Sequence, residues 1–265
     1  MKKPSFYFSF AVDFGQSVQY NYRAVERSAA KAATEMVIKG LQKLTLLDFP
    51  GHTACTVFTA GCNFRCGFCH NALLVTDIDD GVIAEDEFFE FLRSRKGILD
   101  GVAITGGEPL LQKGIVEFMR KIKAEGFEIK LDHNGTMPEL LKTIIDEGLV
   151  DYVAVDIKNS PEKYAVTAGL PDFDIAPIKR TVDLLINGSV DYEFRTTVTK
   201  ELFEREDFEK IGKFIKGAKR YFIQQFKDSG NLIEKDFFSP CDKETLVLYA
   251  KAVEPFVEKV EIRGV

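Results

Sequence analysis

No run of apolar residues in this 265-residue chain is long enough to form a transmembrane helix. A short apolar stretch from Phe6 to Val12, behind Lys2 and Lys3, imitates a secretory signal. Asp13 ends it, however, and no small-residue cleavage site follows promptly. An excess of positive charge is missing too: the net charge of −6 argues against a general nucleic-acid-binding surface. The five cysteines are odd in number and three of them are crowded together, which is not the arrangement of a disulfide framework. Internal repeats, low-complexity linkers and a Ser/His/Asp-type constellation are all lacking. With 45% hydrophobic and 29% charged residues, what remains is an ordinary globular composition, with length enough for one sizeable core. A reducing cytoplasm is the expected compartment, without nucleic acid or membrane as partner.

The crowded cysteines carry the first positive signal. Cys62, Cys66 and Cys69 are spaced C-x3-C-x2-C within Gly61-Cys62-Asn63-Phe64-Arg65-Cys66-Gly67-Phe68-Cys69-His70-Asn71. A structural zinc site wants four closed ligands, commonly two separated pairs. Three clustered thiolates suit a cubane iron–sulfur cluster whose fourth iron stays open for a substrate or cofactor. A three-cysteine zinc site that borrows His70 is the competing reading. Cys55 falls inside an apolar, β-branched run and reads as a buried residue, and the isolated Cys241 reads as an incidental thiol.

Residues 36–265 alternate strands with helices. Strands are expected at 53–59, 101–105, 127–131, 151–155, 192–198, 220–224 and 260–262. Helices are expected near 84–92, 115–124, 138–147, 176–186, 207–216 and 243–253. This alternation predicts a parallel sheet covered by helices, a partial (β/α)6 barrel in one domain, with its site where the strands end. Residues 1–35 differ in character and form an N-terminal extension to which no role is assigned.

The expected strand ends are rich in polar residues. The second reads Thr105-Gly106-Gly107-Glu108-Pro109, where the glycines let backbone approach a ligand closely. The third ends in Asp132-His133-Asn134-Gly135, the fourth in Asp156-Ile157-Lys158, and the fifth carries Arg195. Near the end of the sixth, Gln224, Gln225 and Lys227 are candidates for lining the same barrel mouth. Lys227 to Asn231 reads as a short mobile loop.

Together these segments resemble the radical S-adenosylmethionine (SAM) superfamily from about Met36 onward, in motif order and spacing. Phe68, the aromatic residue before the third cysteine, belongs to the same signature. Within the superfamily they look like the glycyl-radical-enzyme activases. The segment Leu44-Thr45-Leu46-Leu47-Asp48-Phe49-Pro50-Gly51 and the cysteine stretch are most similar to the activating proteins of anaerobic ribonucleoside-triphosphate reductases.

The resemblance implies that Cys62, Cys66 and Cys69 hold a [4Fe–4S] cluster that SAM chelates. It implies SAM contacts for Phe68, Gly106, Gly107, Glu108, Pro109, Asp132, Asn134, Asp156, Lys158 and Arg195, with Glu108 as an acceptor for the ligand's amine. His133 stands where the activases usually have Thr. It reads either as a partly exposed loop residue or as a participant in the site.

The implied activity is reductive cleavage of SAM to a 5′-deoxyadenosyl radical, which then generates a glycyl radical on a partner enzyme. Flavodoxin or ferredoxin would be the reductant, and the groove leading to the site would be open. Two rival classes are a small-molecule radical SAM enzyme, such as a 7-carboxy-7-deazaguanine synthase, and a non-enzymatic iron–sulfur or zinc module.

Overall fold

Short β-branched and apolar runs, separated by helices whose apolar residues recur every three or four positions, build one continuous sheet in the computed structural model of the protein. The structure describes residues 36–76, 82–228 and 230–265. The extension at residues 1–35 and Ser229 of the expected mobile loop therefore lie outside the described residues.

The sheet has eight strands in sequence order, β1 to β8. They are β1 (Ile38–Thr45), β2 (Ala54–Thr59), β3 (Gly101–Gly106), β4 (Glu128–His133), β5 (Tyr152–Asp156), β6 (Asp191–Val198), β7 (Tyr221–Gln225) and β8 (Val260–Arg263). All neighbours from β2 to β8 pair in parallel. The linear order leaves β1 and β8 unpaired with each other, so the barrel is partial and open.

β1 pairs antiparallel with β2 and is an addition to the strands expected from the sequence. Its residues Gln42, Lys43 and Leu44 are exposed or half-exposed, because an edge strand buries little and so lacks a clear alternating pattern.

The helices are α1 (Ala72–Thr76), α2 (Glu85–Ser94), α3 (Ile115–Ala124), α4 (Pro138–Asp146), α5 (Tyr164–Ala168), α6 (Ala176–Ile186), α7 (Arg205–Phe214) and α8 (Lys243–Val253). Each long helix buries one stripe against the sheet. In α3 that stripe is Ile115, Phe118, Met119 and Ile122. Phe118 meets Phe88 and Phe89 of α2 at ring separations of 5.2 and 5.4 Å. Burial of each such side chain contributes about 1.5–3 kcal/mol. The helices α1 and α5 have five residues each, too few to show a period in the sequence.

Alternation along the strands sorts the side chains. Val57, Ile129, Leu131, Val153, Val155 and Ile223 are buried on the helix-covered face. Thr56, Asp132, Asp156, Arg195 and Gln224 point the other way and line the barrel interior. Polar residues therefore accumulate inside the barrel at the strands' C-terminal ends.

Candidate active site

The loop between β2 and α1 carries the three clustered cysteines, and its own aromatic residues hold it down. Phe64 is buried edge-on against Phe173 at 5.4 Å, and Phe68 is buried edge-on against Phe238 at 5.8 Å. The Arg65 N–H donates to the carbonyl of Ala168 at 2.8 Å, and the Glu234 N–H donates to the carbonyl of Gly67 at 2.9 Å. With the rings fixed inward, Cys62, Cys66 and Cys69 face a cavity of about 440 Å³ at the barrel mouth.

The end of β3 touches this loop directly. The N–H of Glu108 donates to the carbonyl of Gly61 at 2.7 Å. A Cβ on Gly106, whose φ is +124°, would lie 2.2 Å from the nitrogen of Thr59, and one on Gly107 would lie 1.9 Å from the carbonyl oxygen of Gly61. No side chain fits either place, so the two glycines let β3 abut the residue that precedes Cys62. Gly107→Ala is expected to displace the cysteine loop. Apo-protein stability, followed by denaturant unfolding, should fall by more than about 1–3 kcal/mol, the usual cost of overpacking. Unchanged stability would mean that the loop is not held at this contact.

Opposite the cysteines stands a network of five paired charges, three cations around two carboxylates. Arg195 donates from Nε to Asp156 at 2.5 Å and from Nη1 to Asp132 at 2.8 Å. Lys158 donates to the other oxygen of Asp156 at 3.0 Å, and buried Lys130 pairs with Asp132 from one layer below. Burial alone would raise both carboxyls, but Arg195 and the lysines outweigh it and hold Asp132 and Asp156 below the usual carboxylate range. Burial works against the charge on Lys158 as well, yet Asp156 and Cys66 beside it keep its pKa raised.

The residues expected at the site fall into two groups. Phe68, Gly106, Gly107, Asp132, Asn134, Asp156, Lys158 and Arg195 line the same cavity as the three cysteines. Glu108 and Pro109 do not. Glu108 is fully buried, with Oε1 accepting from the Leu110 N–H at 3.0 Å and Oε2 from the Asn134 N–H at 2.7 Å. Main-chain donors thus occupy the carboxylate that was expected to meet a ligand amine, and burial pushes its pKa up to about 7. Pro109 opens the 3-10 turn Pro109–Leu111 behind it.

His133 is not a partly exposed loop residue: it is buried, and its Nδ1 accepts from the Gly135 N–H at 3.1 Å. The ring proton therefore sits on Nε2, which has no hydrogen-bond partner among the described residues, and burial lowers the pKa to about 4. Gln225 is also turned away, with its Nε2 donating to the carbonyl of Cys241 and its Oε1 accepting that residue's N–H. Lys227 does not line the cavity, whereas Gln224 does.

Some contributions were not foreseen. Asn63, between the first two cysteines, accepts from Nδ2 of Asn134 at 2.7 Å and donates to Thr136 at 3.0 Å, tying the cysteine loop to the end of β4. Such a bond joins residues 71 apart in the chain and has no local signature. Thr197 was missed although strand alternation puts it two residues beyond Arg195 on the same face.

The donor set fits an iron–sulfur cluster. Burial pushes the Cys62 thiol up and that of Cys66 up to about 11, so both are neutral until a cationic metal group displaces their protons. Among the described residues no three Cys, His, Asp or Glu side chains are arranged to chelate one ion. A cubane needs no such convergence, because each thiolate meets a different iron.

Comparison with known proteins agrees with this chemistry. Residues 56–215 match the Radical SAM superfamily. Over 237 residues the chain is 33% identical to a protein of Methanocaldococcus jannaschii named as a candidate glycyl-radical enzyme activating enzyme, covering 86% of this chain and 96% of that one. A 7-carboxy-7-deazaguanine synthase of Thermococcus kodakarensis is 38% identical over 73 residues, covering 27% of this chain and 28% of that one. The structure of Streptococcus suis SuiB bound to its precursor peptide SuiA shares the fold, with a TM-score of 0.61 at 13% identity, covering 98% of this chain and 58% of that one.

Proposed function

The chain belongs to the radical SAM superfamily and is an enzyme of it, with a [4Fe–4S] cluster and SAM as cofactors; from that premise we propose that it is a glycyl-radical-enzyme activase. When bound, the two cofactors supply reductive cleavage of the sulfonium C–S bond and a 5′-deoxyadenosyl radical able to take a hydrogen atom. The chain's own residues bind and orient. Cys62, Cys66 and Cys69 are the cluster ligands. Gly106, Gly107, Phe68, Asp132, Asn134, Asp156, Lys158 and Arg195 form the SAM-facing wall. Glu108 and Pro109 support that wall from behind rather than touching the ligand. Nη2 of Arg195, which has no hydrogen bond among the described residues, offers a carboxylate the remaining edge of the guanidinium.

The observation that carries the activase reading is the extent of the similarity to the Methanocaldococcus protein. It spans almost the whole of both chains, whereas the similarity to the deazaguanine synthase covers about a quarter of each. The partner we propose is an anaerobic ribonucleoside-triphosphate reductase, from the resemblance of Leu44 to Gly51 and of the cysteine loop. Flavodoxin or ferredoxin is the proposed reductant, and an anaerobic cytoplasm the proposed setting. Among the described residues no helix is long and apolar enough to cross a membrane.

Anaerobic incubation of the reconstituted protein with SAM, a reductant and the reductase of the same organism should produce a glycyl doublet in electron paramagnetic resonance. Its absence, with cluster and SAM both bound, would reject this partner.

A further inference from the structure

Two polar side chains of the cavity wall lie outside the set assigned above to the cluster and SAM. Thr197 of β6 and Gln224 of β7 are register partners, so their side chains leave the sheet side by side, about 4.8 Å apart, on the interior face. Neither side chain makes a hydrogen bond among the described residues. Their polar neighbours, by contrast, are committed: Thr196 donates to the carbonyl of Ile157, Gln225 is bound to Cys241, and Arg263 of β8 is held by both oxygens of Glu193. Ile233 closes the corner beside the pair, on a segment fastened to the cysteine loop through Glu234 and Gly67.

We propose that Thr197 and Gln224 form a subsite that hydrogen-bonds the main chain of the glycine-bearing segment of the partner, with Ile233 as its apolar flank. The proposal rests on the activase reading and names residues that would meet its substrate. An amide side chain presents two donors and one acceptor, and a hydroxyl presents one donor with acceptor capacity, all without charge. That set suits the alternating N–H and C=O groups of an extended peptide. An anionic group at this corner would call for an unpaired cation, yet Arg263, the register partner of Gln224 on β8, is held through both terminal nitrogens by Glu193. Glycine, lacking a side chain, lets a peptide backbone come close to such a wall.

The test uses the holoenzyme with SAM, reductant and the anaerobic ribonucleotide reductase polypeptide, reading the rate of glycyl radical formation against reductase concentration. Gln224→Leu and Thr197→Val should each raise KM for the reductase about tenfold, the effect of one lost hydrogen bond, with kcat changed far less. Thr197→Ser, which keeps the hydroxyl, should restore a KM near that of the wild type.

Unchanged KM in both variants, while the wild type activates the reductase, would overturn the subsite and leave the activase reading standing. A fall in kcat together with melting temperature, at constant KM, would mean a structural role and would overturn it equally. A wild-type protein that forms no glycyl radical on the reductase, with cluster and SAM bound, would reject this partner and with it a subsite for its glycine-bearing segment.

Discussion

Replacing Cys62, Cys66 or Cys69 by Ala is expected to leave a protein that cannot retain a [4Fe–4S] cluster, whereas Cys55→Ala and Cys241→Ala should keep it. The three share one loop and one cavity. A cubane held by three thiolates that loses one becomes open at two irons and exposed to solvent and oxidant. The other two cysteines face elsewhere. Cys55 is wholly buried in β2 beside Val57, on the helix-covered face, where burial pushes its thiol up to about 12. The backbone of Cys241 is clamped by Gln225. Iron and sulfide content after anaerobic reconstitution reads the outcome. Loss of the cluster in Cys241→Ala would mean a fourth protein ligand and no open iron for SAM.

Arg195→Met should be the most damaging change among the residues outside the cysteines. It removes a buried guanidinium shared by two carboxylates that are themselves mostly buried. Leaving such charges without their partner typically costs about 3–5 kcal/mol, although Lys130 and Lys158 soften the loss here.

The pH dependence has a definite sign. Asp132 and Asp156 are held below their ordinary value of 3.8, mainly by Arg195 once the opposing effect of burial is overcome. Their contribution to stability is therefore present above that value and is lost as pH falls through the depressed ones. Without Arg195 the carboxyls regain protons at higher pH. The stability gap between wild type and Arg195→Met should accordingly be widest near neutrality and narrow toward acid. Denaturant unfolding of the apo-proteins between neutral and mildly acid pH measures it. A gap independent of pH would mean that Arg195 acts by packing alone.

The sequence made the cysteine loop, the glycine pair and the charged strand ends legible for a physical reason. Each sits a fixed distance beyond an apolar run, and parallel strands bring their C-terminal ends to one side. Gly106 and Gly107 mark a close approach that only glycine allows, so they could be recognised before the partner backbone was known. Glu108 shows where that reasoning stops. Its type and position suggested an acceptor for a ligand, but its oxygens are taken by the N–H groups of Leu110 and Asn134, the second of them 26 residues away.

His133 misled for a similar reason. It lines the cavity beside Asp132 and Asn134, yet it is buried there and its Nδ1 is taken up by the Gly135 N–H. β1 escaped notice because an edge strand with one half-solvated face has no firm pattern. Residues 227–231 read as a short mobile loop and Ile233 and Glu234 just beyond them went unread, because the attachment of Glu234 to Gly67 is a backbone contact that no residue type announces.

The origin of the abstracted hydrogen tests the function most directly. A partner reductase produced with glycine deuterated at Cα would be incubated anaerobically with the holoenzyme, SAM and reductant, and the 5′-deoxyadenosine analysed by mass spectrometry. An activase transfers deuterium into that product in step with the growth of the glycyl radical signal. Unlabelled 5′-deoxyadenosine formed at enzymatic rates on addition of a purine or pterin, with no protein partner present, would contradict the activase and leave a small-molecule radical SAM enzyme in its place.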